Sequence, residues 1–372
     1  MVLTRGDDFP IHQTAEPIAY AGTDRNFYDR YFFNGYAPAG DERSDLFFAA
    51  AMGFYPALGI ADAAFVVVRD GVEIALHASR WLKLERLDLD VGPIGLNVEV
   101  PLERLKLVVD APEHGIVAEI TFVGRHFPVE EPRFTRRIGA RVLLDYTRLT
   151  QNGRWHGWIE VDGRREDVGG CVGTRDRSWG VRPVGTRDSQ EPAPPEPPQF
   201  FWLWSPCAFG DCSLFFHTND DAAGRPWNRR AVWAPDGAAA TDFVETARAT
   251  CEIVWRSGGR NAASALLTLA DIRGDTRVRF DPRLDIRMLG LGYGHPRWGH
   301  GLAHGELAVE REDFVLADLS PQVPHHLHVQ ALCDVTMTDP DGHERRGRGV
   351  LEQLALGPHA PSGFTGLLDF AP

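Results

Sequence analysis

Lysine is nearly absent from this chain of 372 residues: only Lys83 and Lys106 stand among its 39 basic side chains, and acids exceed bases enough to leave a formal charge of −13. A chain so acidic lacks the basic face that tracking nucleic-acid phosphates demands, and an anionic membrane surface repels it. No apolar run approaches the ~18 residues of a bilayer span, so no integral membrane segment is expected. Residues 1–8 show no apolar run ahead of a small-residue cleavage site, so no signal peptide is read there. Cysteine is scarce and odd in number (Cys171, Cys207, Cys212, Cys251, Cys333), with no C-x-x-C pair. A disulfide framework is therefore not expected, and a cytoplasmic location fits best. Also missing are a G-x-S-x-G elbow, a P-loop and a Rossmann glycine run. Those absences disfavour serine-hydrolase, nucleotide and dinucleotide chemistry, and no cofactor is expected.

What is abundant is punctuation. The 38 glycines and 26 prolines break the chain into short segments of β character. Residues 61–69 and 72–79 flank Asp70-Gly71, a strong hairpin signal, and 155–161 and 164–168 flank Asp162-Gly163. Residues 43–58 suit a helix or a buried strand equally. Many short strands with turn chemistry between them predict an all-β protein of two tandem lipocalin-like antiparallel barrels. The proline-rich stretch 186–198 reads as the linker between barrels at 1–185 and 199–372.

The most unusual run is Gly173-Thr174-Arg175-Asp176-Arg177-Ser178-Trp179-Gly180-Val181-Arg182. On a strand, Arg175 and Arg177 share one face and Asp176 the other. Two readings stand: an ion-pair staple at a barrel mouth plugged by Trp179, or a substrate site in which Asp176 handles a proton while Arg175, Arg177, Trp179 and Arg182 hold the ligand. With the aromatic strand at 200–204 behind it, this run resembles the Asp-His-Ser-Trp-Gly signature of the carotenoid 1,2-hydratase and AttH-like group. That resemblance implies tandem lipocalin-like barrels and cofactor-free chemistry on hydrophobic substrates. Arg177 stands where His is usual, so any proton transfer by that His is not available in the same way.

A second cluster, Tyr293 to Glu306, contains His295, His300 and His304 together with Trp298. Its glycines and Pro296 exclude a stable helix. His304 and Glu306 are expected on one strand face as an acid/base pair, with His295 as a further catalytic candidate. Tyr293, Trp298 and His300 are assigned to substrate binding. A zinc site on the three histidines and a purely structural loop are the competing readings, and since no H-E-x-x-H spacing occurs, no metal is assigned. Elsewhere, Trp202 is expected at the barrel–barrel seam and is assigned, with Glu352, to substrate binding. Glu352, in an apolar strand, is a candidate for a raised pKa unless a basic residue of 345–348 pairs with it.

These readings predict a cofactor-independent lyase, hydratase or isomerase using acid/base chemistry on an isoprenoid, steroid or polyketide-like molecule held in a barrel or between barrels. The alternatives are a non-catalytic carrier of an apolar ligand and a metal-dependent hydrolase built on the histidine loop. The partner expected is that apolar small molecule, with a homodimer as a further possibility.

Overall fold

The computed structural model describes residues 5–12, 15, 24–83, 87–187, 197–246, 248–272 and 274–372. Among these residues the regular structure is strand, relieved by short 3-10 turns. The strands form two curled antiparallel half-barrel sheets, the architecture the punctuated sequence predicts. Asp70-Gly71 and Asp162-Gly163 are the tight hairpins expected, with φ of 52° and 77° in the first and 52° and 76° in the second. Residues 43–58 resolve as a strand, Phe47–Tyr55, buried on both faces. Of the proline-rich linker, 188–196 lie outside the described residues.

Contacts divide the chain into two units. One comprises Met1–Ala37, Leu46–Glu196 and Gly290–Phe314; the other comprises Pro38–Asp45, Pro197–Leu289 and Val315–Pro372. Residues 290–314, expected in the C-terminal barrel, therefore fold with the first unit. The physical reason is an edge: the strand Leu307–Val315 lies beside Val72–Trp81 and covers backbone groups that would otherwise end the sheet unpaired.

In the first unit four strands matter most: β1 (Phe27–Tyr36), β2 (Phe47–Tyr55), β3 (Ile60–Arg69) and β4 (Val72–Trp81). They pair in sequence, β4–β3–β2–β1, and β1 continues into the strand Val172–Val181 and then the long strand Arg141–Val161. Their odd and even positions do different work, as strand periodicity requires. One face carries Tyr31, Phe33, Met52, Phe54, Phe65 and Leu76 into the main core with Phe122 and Trp155. Trp155 meets Phe33, Phe48 and Phe122 edge-on at 5.3–6.0 Å and donates its Nε1–H to Asn34 O at 2.9 Å. The core-facing side of this sheet is thus filled by its own side chains. In the second unit a nine-stranded sheet centred on Phe200–Ala208, Glu344–Leu356 and Val329–Thr338 packs Phe201, Leu203, Phe216, Leu267, Phe280 and Leu351.

Candidate active site

The GTRDRSWG run lies in the strand Val172–Val181, between β1 and Arg141–Val161. Arg175 and Arg177 point to the core-facing side, opposite Phe33 and Tyr31 of β1. There Arg175 pairs with Asp8 and donates to Gln151 Oε1 at 2.7 Å. Arg177 pairs with Asp29 and lies 4.0 Å over the Tyr31 ring. Both guanidiniums are fully buried. Trp179 stacks on His12 at 3.9 Å and packs with Phe27, Leu102 and Leu149. Asp29 also holds His12, through its backbone N–H at 3.0 Å and Nδ1 at 3.3 Å. Burial pulls the Asp29 carboxyl up, but Arg177 and His12 outweigh it and hold the group below its usual value. These arrangements close one end of the core with each guanidinium paired to a carboxylate.

The opposite face of the same strands is built differently. The strand register places Ser178, Arg30, Gly53, Asp62 and Ser79 in one row across the sheet, and Asp176, Phe32, Ala51, Ala64 and His77 in the next. Small residues in the middle of both rows leave a low floor between polar walls. Tyr55 bends back over Gly53 and donates its hydroxyl to Asp62 Oδ1 at 3.1 Å. A Cβ at Gly53 would collide with that hydroxyl and come 2.9 Å from Asp62 Oδ1.

The segment 290–304 lies over this floor. Gly301 N–H reaches Asp62 Oδ2 at 2.6 Å, and its left-handed φ of 75° explains why glycine stands there. Gly185 N–H donates to His300 O at 2.8 Å, and Ser79 Oγ to Leu302 O at 3.4 Å. Between floor and segment is a hollow of about 10 Å³, lined by Ala51, Asp62, Ala64, His77, Ser79 and His300 among others. That is about the room one water needs. Burial dominates at Asp62: despite the Gly301 N–H, the charge of Arg30 and Arg182 and the Tyr55 hydroxyl, its carboxyl is pushed up to about 6.

His300 Nδ1 lies 3.1 Å from Arg30 Nη1 and 3.3 Å from Arg182 Nη2, while its Nε2 lies 2.9 Å from Leu291 O. A guanidinium only donates and a carbonyl only accepts, so the imidazole proton is assigned to Nε2. Tyr293 stacks under Arg30 at 4.3 Å and meets His300 edge-on at 4.6 Å.

Beside the hollow, Trp298 is sandwiched between His77 at 5.4 Å and His304 at 4.2 Å. It donates Nε1–H to Glu310 at 3.1 Å. Glu312 Oε2 lies 3.1 Å from His77 Nε2 and 2.9 Å from His295 Nε2, and these imidazoles, His77 foremost, hold its carboxyl below the usual value. Three ligand-type groups converge there, yet His295 Nδ1 accepts backbone N–H groups from Arg297 at 3.1 Å and Trp298 at 2.8 Å. Its proton must then sit on Nε2, the nitrogen that faces Glu312. Metal ligation through Nε2 would require that ring to lose its last proton or to turn away from both donors. The cluster suits proton relay better than a cation.

Two expectations need correction, one in this loop and one in the second unit. Glu306 is exposed and His304 precedes the strand, which starts only at Leu307. The two do not pair: His304 Nε2 bonds Arg297 O at 3.0 Å, and Glu306 O accepts from Trp81 N at 3.3 Å. The cause is Gly305, whose φ of 90° breaks the extended run. In the second unit, Glu352 accepts from Trp202 Nε1 at 3.0 Å and Gln330 Nε2 at 2.9 Å, and lies 2.8 Å from His328 Nε2. Burial alone would raise its pKa, but these partners, His328 first, carry it below the usual value. The raised pKa expected there is therefore not found, and the partner is a histidine rather than an arginine of 345–348.

Sequence reasoning missed Arg30, Tyr55, Asp62, His77 and Glu312. The signal was present for two of them: Asp62 and His77 are ionisable groups flanked by apolar or small residues inside β3 and β4, the criterion that singled out Glu352.

Fold and site together define a two-sheet, lipocalin-like β protein with a half-buried carboxyl and an overlying histidine loop on one unit. The chain belongs to a family of unknown function, DUF8625, whose model matches residues 3–365. Its fold is similar to that of an AttH-type protein (NE1406) from Nitrosomonas europaea, at 13% identity and a TM-score of 0.51 over 90% of this chain and 94% of the other. It is also similar to CghA solved with Sch210972, at 10% identity and a TM-score of 0.51 over 93% of both chains. Kievitone hydratase from Nectria haematococca overlaps 88% of both chains at 9% identity, with a TM-score of 0.47. No curated protein sequence matches the chain. At these identities the likeness is one of fold.

Proposed function

We propose that this protein is a cofactor-independent hydro-lyase or isomerase of the AttH-like group, acting on a hydrophobic small molecule by proton transfer at Asp62. The observation that carries the reading is a half-buried carboxyl whose pKa is pushed up to about 6, beside a water-sized hollow. A carboxyl so placed is protonated often enough near neutral pH to donate, and basic enough afterwards to take the proton back.

In the hydration direction the Asp62 O–H bond breaks and its proton joins one alkene carbon. Water then bonds the other carbon and returns a proton to the Asp62 carboxylate. Dehydration reverses each step, and isomerisation replaces water addition by loss of a different proton. Tyr55 steadies the carboxylate form, and the Trp298 face that leaves His77 when 290–304 lifts shields positive charge developing on the substrate. Admission of a substrate requires 290–304 to lift from β3 and β4, breaking the Gly301–Asp62 and Ser79–Leu302 hydrogen bonds. Because the core-facing side of the sheet is packed, this opposite face is the better place for a ligand.

The test begins with the passenger molecules that copurify with the native protein, identified by mass spectrometry. Incubated in D2O with wild-type protein, such a molecule is expected to take up deuterium or to change mass by one water. Asp62→Asn is expected to do neither. A passenger returned unchanged by the wild type would favour a carrier instead.

A further inference from the structure

Arg30 is 1% exposed, and two of its three guanidinium nitrogens, Nε and Nη2, have no hydrogen-bond partner. Its third, Nη1, reaches only the neutral nitrogen of His300, at 3.1 Å. Arg182 reaches that same nitrogen at 3.3 Å, and its Nε is likewise unpartnered. Neither guanidinium touches a carboxylate among the described residues. Three other buried arginines of this unit differ: Arg175 has Asp8, Arg177 has Asp29 and Arg148 has Glu131. Two like charges, one buried and one half-buried, converging on one shared lone pair are costly unless an anion joins them.

The surroundings narrow the anion. Each guanidinium carbon lies over a tyrosine ring, Arg30 over Tyr293 at 4.3 Å and Arg182 over Tyr28 at 4.4 Å. The tyrosines anchor both groups, and the unpartnered donors, Nε and Nη2 of Arg30 and Nε of Arg182, remain for a planar two-oxygen acceptor. The walls are otherwise aromatic: Tyr28 and Tyr146 meet edge-on at 6.0 Å.

We propose that Arg30 and Arg182 form a binding site for the carboxylate of an unsaturated or aromatic organic acid. This rests on the reading of Asp62 as the proton-transfer group only for the view that the acid is a substrate. The binding claim stands by itself. His300 is then a positioning residue: Leu291 O holds its Nε2–H, so its Nδ1 lone pair steers both arginines.

Isothermal titration of the full chain at pH 7 with benzoate and cinnamate, against benzamide and cinnamamide, tests the site. At least one carboxylate is expected to bind about tenfold or more tightly than its amide, as charge-assisted contacts require. Arg30→Gln and, separately, Arg182→Gln are expected to erase that preference while thermal melting reports whether each variant folds. Asp62→Asn is expected to retain or strengthen carboxylate binding, since it removes a nearby negative charge. Equal binding of acid and amide, no binding by either acid, or a preference that survives both arginine substitutions would overturn the proposal. Retained turnover in Asp62→Asn would instead sink the proposed function and leave this site standing.

Discussion

The Tyr55 hydroxyl donates to Asp62 Oδ1 at 3.1 Å across the bare backbone of Gly53. Three residues on two paired strands thereby set the protonation of the half-buried carboxyl: glycine makes room, tyrosine donates, and partial removal from water raises the pKa. Each part can be removed separately.

Asp62→Asn is expected to abolish turnover and to stabilise the fold. A carboxyl whose folded pKa lies near 6, above its unfolded value, binds a proton more tightly when folded. Stability tied to it is fully present below pH ~4 and lost as pH rises to about 6. Above that pH the asparagine variant should be favoured by up to about 3 kcal/mol. Urea unfolding of both proteins between pH 4 and 8 checks this; parallel curves would contradict it.

Gly53→Ala is expected to push Tyr55 off Asp62, with an overpacking cost of about 1–3 kcal/mol and a large loss of activity. Tyr55→Phe removes the donor without crowding. It should move the pH-rate limb of Asp62 upward, because the hydroxyl bond favours the charged form. Unchanged pH profiles in both variants would separate Tyr55 from the chemistry.

Arg177→Met is expected to cost about 3–5 kcal/mol, since it leaves the Asp29 charge buried. Chemical denaturation measures this. A loss of turnover without a loss of stability would instead move the catalytic role toward the core-facing motif.

Zinc is expected not to be retained by the His77–His295–Glu312 cluster, because His295 Nδ1 is already occupied by two backbone donors. Elemental analysis after dialysis against zinc checks this. One equivalent that is lost in His295→Ala would contradict it.

The all-β character and the hairpins at Asp70-Gly71 and Asp162-Gly163 were legible in the sequence because period-two patterning and turn chemistry are local. The two faces of Arg175-Asp176-Arg177 were legible for the same reason. The site was only half legible. His300, Tyr293 and Arg182 are conspicuous in their motifs, whereas Arg30 and Asp62 become neighbours only through the register of β1, β2 and β3. Register across non-local strands is not written in any one segment. Nor does the sequence show that Gly305 turns His304 away from Glu306.

The central claim is that Asp62 titrates near neutrality inside the folded protein. The carboxyl carbon shift of Asp62, followed by 13C NMR from pH 3 to 8 and assigned with Asp62→Asn, reads this directly. A midpoint near pH 6 supports the account; a midpoint near 4, the ordinary value for aspartate, would contradict it.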